Sequence, residues 1–398
     1  MWIRRDYARR VLGVAAQYPV VVLTGPRQTG KTALLQQAIH GFNFVTLDLP
    51  SVAEQANTSP GVFLAQHPEP LIIDEVQYAP KMFRYLKAAV DADRDRNGRF
   101  ILTGSQKFVL MKDISESLAG RAVILEMDTL SSSEILGTAE SASTSLATFL
   151  FRGGYPALYK DPTLRTQDFY SSYVATYLER DLRQLLNVGN LRDFERFLRI
   201  CATRSGQMVN LTSMANDVGI AVSTAREWLS ALQASGQVYL LEPYFGNTGK
   251  RLIKTPKLYM RDTGLLSFLL GFDNEGALQR SQSIGPVWET FVLNQLIRHQ
   301  QYTGTAAKLF YFRDTNGTEV DFLIEHNGRV RLMEAKWTEN PDGSDARQIV
   351  KVSALFKETA AGEHWIACRT SHEHLLAAAP GVRAIDAWRM RNWYPGSE

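Results

Sequence analysis

A chain of 398 residues is longer than one ordinary hydrophobic core serves, and it predicts two or three domains. Its 45% apolar and 21% charged composition excludes a disordered or fibrous protein, and no internal repeat recurs at a fixed period. With 44 basic and 41 acidic residues the net charge is only +3, which neither demands nor excludes a nucleic-acid partner; only local charge can argue for one.

Met1 to Leu23 starts basic and turns apolar, much as a secretory leader does. Gln17, Tyr18 and Pro19 interrupt the apolar run, however, and Val20-Val21-Val22-Leu23 leads straight into a loop. The segment reads as a helix followed by a buried strand. No stretch is long and apolar enough to span a membrane. Cys201 and Cys368 match no metal or redox spacing, so a reduced, cytoplasmic protein is expected.

The loop is Gly25-Pro26-Arg27-Gln28-Thr29-Gly30-Lys31-Thr32, which fits the Walker A pattern at every fixed position. A β-branched strand precedes it and a helix begins at Lys31, so backbone N–H groups and the helix dipole converge on phosphate. These eight residues are expected to bind ATP, with Lys31 on the β- and γ-phosphates and Thr32 on Mg2+. A chance match on a glycine turn is the alternative that this strand and helix argue against. Leu71-Ile72-Ile73-Asp74-Glu75 supplies a buried strand ending in two acids. Asp74 is expected to hold the magnesium shell and Glu75 to polarise the attacking water.

Arg99 to Thr103 makes a further strand that ends in Thr103-Gly104-Ser105-Gln106. Here the chain begins to resemble the AAA-type ATPases, in which a polar residue after this strand senses the γ-phosphate. Thr103 and Ser105 both fit that role, and Ser105 fits a helix cap equally. Leu118-Ala119-Gly120-Arg121 strengthens the resemblance. It implies that Arg121 is an arginine finger reaching a neighbouring subunit's ATP, and hence a homo-oligomer; a solvated surface arginine is the alternative. Strands near residues 20, 44, 71, 100 and 122 alternate with helices, predicting a doubly wound parallel α/β sheet over residues 1–137.

Residues 138–190 read as a helical connection, with a Gly/Pro turn at Phe151 to Pro156 and a helix from Phe169 to Leu186. Residues 191–262 read as a winged helix-turn-helix: helices at Phe194 to Ser205 and Leu211 to Asp217, a third entered through a capping box at Thr224 and Glu227, then a hairpin with its tip near Gly246. Lys250, Arg251, Lys254, Lys257 and Arg261 lie in that hairpin with no acid among them, a run suited to phosphate, and Arg226 lies on the third helix. DNA contact through the backbone is expected, with a purely protein-packing module as the alternative.

In residues 263–398 a helix from Pro286 to Gln301 carries Glu289. Strands then follow at Lys308 to Arg313, Glu319 to Glu325 and Arg329 to Lys336, separated by Asn316-Gly317 and Asn327-Gly328. A helix over Asp345 to Phe356 and a strand over His364 to Cys368 complete the order. Asp321 lies on the middle strand, and Glu334 and Lys336 share a face of the next. The pattern resembles the restriction-endonuclease-like superfamily. That resemblance implies metal binding by Asp321 and Glu334, a water-orienting Lys336, and Glu289 contributed from the helix. A structural ion pair of Lys336 with one acid would look the same in sequence.

Over nearly its full length the chain resembles a prokaryotic family of AAA-type ATPases with a C-terminal domain of unknown function. The resemblance implies an ATP hydrolase, and the remaining features suggest that it acts on DNA. A nucleotide-operated switch without C-terminal catalysis, or a protein-remodelling engine, is the alternative.

Overall fold

The computed structural model describes residues 2–104, 117–138, 143–178, 191–246 and 253–394. Two compact units are present. One is built from Met1–Leu130 with Tyr155–Lys160 and Ala234–Gly236, the other from Ser131–Gly154, Asp161–Gln233 and Gln237–Glu398.

In the first unit a helix over Tyr7–Ala15 precedes strand β1 (Val20–Thr24), as expected. Then come β2 (Asn43–Thr46), β3 (Leu71–Asp74), β4 (Phe100–Gly104) and β5 (Ala122–Glu126). All pair in parallel, in the order β2-β3-β4-β1-β5. Parallel pairing demands crossovers, and helices such as Lys31–Ala38 and Met82–Ala92 occupy them. Val20, Val22, Leu71, Ile73, Phe100 and Leu102 pack with Phe63, Phe83 and Leu86. The alternating Val21, Leu23, Ile72 and Ile101 are just as buried, so both sheet faces are covered. That is why these strands read as unbroken apolar runs rather than alternating ones.

Register places Thr24, Gly104 and Glu126 level at the C-terminal edge of the sheet. Gly25 follows with φ +140°, and a Cβ there would stand 2.0 Å from the carbonyl oxygen of Met127. Only glycine lets the loop pass the end of β5. Two short segments return to this unit from later in the chain. Pro156 Cγ lies 3.7 Å from where a Cβ on Gly30 would be, and a Cβ on Gly236 would stand 3.0 Å from Pro26 Cγ.

The second unit contains helices over Leu146–Arg152 and Thr166–Tyr173, the latter running into a π-helical turn at Val174–Leu178. Helices over Leu191–Thr203, Leu211–Val218 and Val222–Ala234 follow, with β6 (Gln207–Met208), β7 (Val238–Leu241) and β8 (Lys257–Met260) in an antiparallel sheet ordered β6-β8-β7. The third helix begins earlier than its sequence suggests. Ala225 N–H already bonds Ala221 O, so Thr224 is interior and is not a cap.

A 20-residue helix, Ile284–Thr303, leads into a six-stranded sheet. Its strands are β9 (Lys308–Arg313), β10 (Glu319–His326), β11 (Arg329–Ala335), β12 (His364–Cys368), β13 (His374–Leu375) and β14 (Val382–Asp386), ordered β13-β14-β12-β11-β10-β9. The β9-β10 and β10-β11 pairs are antiparallel, and β11, β12 and β14 run parallel. Asn327 and Gly328 both take positive φ, the turn their sequence calls for. In β10 the register with β9 slips between Val320 and Leu323, so Asp321 and Phe322 together face one residue of β9. The edge of β9 is covered: Tyr244 N–H bonds Tyr311 O, and Tyr311 N–H bonds Glu242 O. That join brings the smaller sheet alongside the larger.

Asp262 ties this unit together. It caps the helix Thr263–Leu269 through Gly264 N–H (2.9 Å) and Leu265 N–H (3.1 Å), and it accepts from Gly154 N–H (2.8 Å) and the Tyr170 hydroxyl (2.8 Å). Asp262→Ala strands these donors in a buried place and is expected to lower unfolding free energy by about 3 kcal/mol. Chemical denaturation measures it; a decrease below about 1 kcal/mol would show that water replaces the carboxylate.

Candidate functional site

At the C-terminal edge of the five-stranded sheet, Gly25 to Gly30 wraps the start of the helix Lys31–Ala38, with Gly30 left-handed at φ +90°. The loop is tightly held. Lys31 Nζ donates to Gly25 O (2.9 Å) and Pro26 O (2.8 Å), and the Thr29 hydroxyl donates to Pro26 O (2.9 Å). Gly25, Pro26, Thr29 and Lys31 are buried, whereas Gln28, with φ +58°, is exposed and Arg27 partly so.

Asp74 sits in the middle of this edge, 1% exposed. Three hydroxyls from three segments donate to its carboxylate: Thr32 (3.0 Å to Oδ1), Thr103 (2.5 Å to Oδ1) and Thr46 (3.3 Å to Oδ2). Burial raises the Asp74 pKa, and the Thr103 and Thr32 hydrogen bonds oppose that rise. Thr103 also accepts the Glu75 N–H (3.1 Å), so one hydroxyl couples both acids. Glu75 is a non-glycine residue in the left-handed region at φ +56°, and the Gln77 amide donates to its carboxylate. Such backbone persists where surrounding structure forces it, often at functional positions. Ser105 lies outside the described residues. The side chains of Thr32 and Asp74 meet, and a hydroxyl beside a buried carboxylate is a donor set that suits magnesium.

Arg5 is a member of this site that the sequence does not disclose. Its guanidinium, 5% exposed, donates to Thr29 O (2.6 Å) and Asp128 O (2.8 Å), bracing the loop against the chain beyond β5. An arginine in a basic N-terminus carries no signal of such a role.

Arg121 precedes β5 and therefore stands at the opposite end of the sheet from Thr24. A five-residue strand spans about 16 Å, so Arg121 does not reach the loop of its own chain. It forms a bidentate pair with Asp91 (2.8 and 3.0 Å).

In the second unit, the four residues expected to gather do gather, with additional members. Lys336 Nζ pairs with Glu334 Oε2 (2.9 Å), and Asp321 accepts Ala335 N–H (3.0 Å). Glu289 accepts from the Tyr259 hydroxyl and lies 3.2 Å from Lys257 Nζ. Lys257 also reaches Glu319 (2.6 Å) and Asp321 (3.8 Å), and Arg313 pairs with Glu319. Burial, then the Asp321 charge, holds the Glu289 and Glu334 carboxyls above their ordinary range. Burial works against charge on Lys257, but Glu289, Asp321 and Glu319 outweigh it and keep the ammonium.

Lys257 was expected to contact DNA phosphate; its side chain is 4% exposed and committed to acids. Arg261 of the same basic run is buried over the Tyr239 ring. Arg226 and Lys254 are exposed, and Lys250 and Arg251 lie outside the described residues. Asp321 and Glu334 are engaged within the protein, by Ala335 N–H and Lys336, and among the described residues no group of three His, Cys, Asp or Glu side chains is placed to hold a metal ion. No helix among the described residues is long and apolar enough to cross a membrane.

Residues 17–136 match an AAA domain, residues 143–276 a domain of unknown function (DUF8612), and residues 284–379 another (DUF4143). An uncharacterized protein of Mycobacterium tuberculosis is 34% identical over 370 residues, covering 91% of this chain and 80% of that protein. The chain belongs to its family. An uncharacterized protein of Methanocaldococcus jannaschii is 24% identical, covering 77% of this chain and 72% of that one. A Walker-type ATPase of Pyrococcus abyssi is similar in structure at TM-score 0.47 and 14% identity, over 67% of this chain and 96% of that one, a likeness too slight to carry an argument. The AAA domain of this family member thus spans all five parallel strands and the loop at their edge.

Arg5→Ala is expected to weaken nucleotide affinity about tenfold, the effect of removing one to two charge-assisted hydrogen bonds that shape the loop. Titration with a fluorescent ATP analogue reads it. Unchanged affinity in a folded variant would remove Arg5 from the site.

Proposed function

We propose that the chain hydrolyses ATP at the AAA domain, with Glu75 as the water-activating base and Thr103 as the residue that couples it to the nucleotide. The observation carrying this reading is the Thr103 hydroxyl, which donates to Asp74 and accepts from Glu75 N–H. The loop N–H groups and Lys31 bind and orient the phosphates once Lys31 exchanges Gly25 O and Pro26 O for phosphate oxygen. Thr32 and Asp74 would hold magnesium, which when bound neutralises phosphate charge. Glu75 then takes the proton from water aligned behind the γ-phosphate. Arg121, at the far end of the sheet from its own loop, would serve as a finger only for a neighbouring copy and only by giving up its pair with Asp91, which makes a homo-oligomer the form in which it takes part.

A second reading concerns DNA. The helix order before β7 and β8 resembles a winged helix, and Arg226 and Lys254 are exposed there. The helix, antiparallel strands, helix and parallel strand that follow support a restriction-endonuclease-like reading of the C-terminal region. We read that region as gripping phosphate backbone rather than cutting it, since its acids are already neutralised by lysines.

Lys31→Ala is expected to abolish nucleotide binding. Glu75→Gln should bind ATP yet hydrolyse it at least a hundredfold more slowly, the usual scale of removing a general base. Wild-type turnover by Glu75→Gln sinks that assignment.

For DNA, the paired substitution Arg226→Ala and Lys254→Ala is expected to lower the salt slope of binding by about two, one unit for each phosphate no longer neutralised. An unchanged slope, or a wild-type protein that neither binds DNA nor responds to it in ATP turnover, favours a nucleotide-operated switch.

A further inference from the structure

Three acids of the C-terminal region, Glu289, Glu319 and Asp321, meet a cation that comes from the smaller sheet. Lys257 opens β8, in the smaller sheet, and its ammonium contacts Glu289 from the helix Ile284–Thr303 and Glu319 from β10, with Asp321 of β10 at 3.8 Å. Two residues along β8, on the same face, Tyr259 donates its hydroxyl to the same Glu289 oxygen. The delivery is built into the fold. Tyr311 of β9 hydrogen-bonds Thr255 O through its side chain, just ahead of Lys257, and pairs with Glu242 and Tyr244 beyond β7 through its backbone. Its ring lies 5.4 Å from the ammonium.

We propose that Lys257 is the resident cation of this cluster, standing where a nuclease-like site takes a divalent metal, and that the intact site therefore binds none. The inference rests on the restriction-endonuclease-like reading of the C-terminal region. Charge carries it. Among the described residues, four carboxyls (Glu289, Glu319, Asp321 and Glu334) meet three cations (Lys257, Lys336 and Arg313), so the cluster is close to neutral without help. A divalent ion entering it would sit beside a buried ammonium that has no route to solvent, its side chain being 4% exposed. Lys336, 36% exposed, is the member that a phosphate can reach. Lys257 is a positioning residue in this account, fixing Glu289, Glu319 and Asp321, while Lys336, paired with Glu334, keeps its exposed side toward a ligand.

The test is Mn2+ binding to the full-length, nucleotide-free protein, read from the decrease of the free-ion paramagnetic resonance signal. Wild type and Asp321→Asn should bind Mn2+ identically. Lys257→Met should take up one additional ion per chain, at least tenfold more tightly than any ion wild type binds through these acids, and Lys257→Met/Asp321→Asn should lose it. Mn2+ should also raise the melting temperature of Lys257→Met by more than that of wild type, and the difference should vanish in Lys257→Met/Asp321→Asn. Wild-type binding that Asp321→Asn abolishes overturns the proposal while leaving the nuclease-like reading intact, and this comparison does not depend on Lys257→Met folding. A folded Lys257→Met that gains no ion overturns the proposal and counts against the nuclease-like reading as well.

Discussion

The carboxylate of Asp74 is where the candidate nucleotide site is assembled. It terminates β3, and the parallel register brings β2 and β4 alongside, so Thr46 and Thr103 arrive from the two neighbouring strands. Thr32 arrives from the first turn of the helix after the loop. A buried carboxylate needs such donors, because desolvation alone would favour its neutral form. The same hydroxyls that oppose the rise in its pKa also tie the loop helix to the strand that precedes Glu75. One set of bonds thus serves both the fold and the proposed chemistry, and a substitution at Thr32 or Thr103 is expected to affect both.

The C-terminal region solves a related problem by different means. Its acids are gathered by a bulge, a long helix and the end of a strand, and their repulsion is relieved by ammonium groups rather than hydroxyls. Hydroxyls leave room for an incoming cation; buried lysines do not. The two acidic sites of this chain thus differ in what they can admit, although both place carboxylates at the end of a strand.

Much of this is legible in the sequence, for identifiable reasons. The loop from Gly25 to Thr32 has fixed spacing, and Leu71 to Asp74 is an apolar run ending in an acid, so local pattern suffices. Asn327-Gly328 announces its turn because both residues tolerate positive φ. Lys257 reads as surface charge in the sequence because a run of lysines looks solvated until a partner strand buries one of them. Arg5 and Thr46 act across long sequence separations, through contacts that no local window contains. The bulge at Asp321 is likewise invisible, since an extra residue on one strand is defined only by what its neighbour does. The helix starting at Val222 reads as starting late because Thr224 and Glu227 carry a cap's spacing without occupying a helix end.

The chain enters the first unit three times, and the later visits are brief: six residues at Tyr155–Lys160 and three at Ala234–Gly236. Pro156 and Gly236 are the parts that approach Gly30 and Pro26. A fragment ending at residue 130 would lack both, and a single proteolytic nick between the units could not release the ATPase body whole. The surroundings of the loop are thus completed by residues far apart along the chain, so the first unit is not a contiguous stretch of sequence.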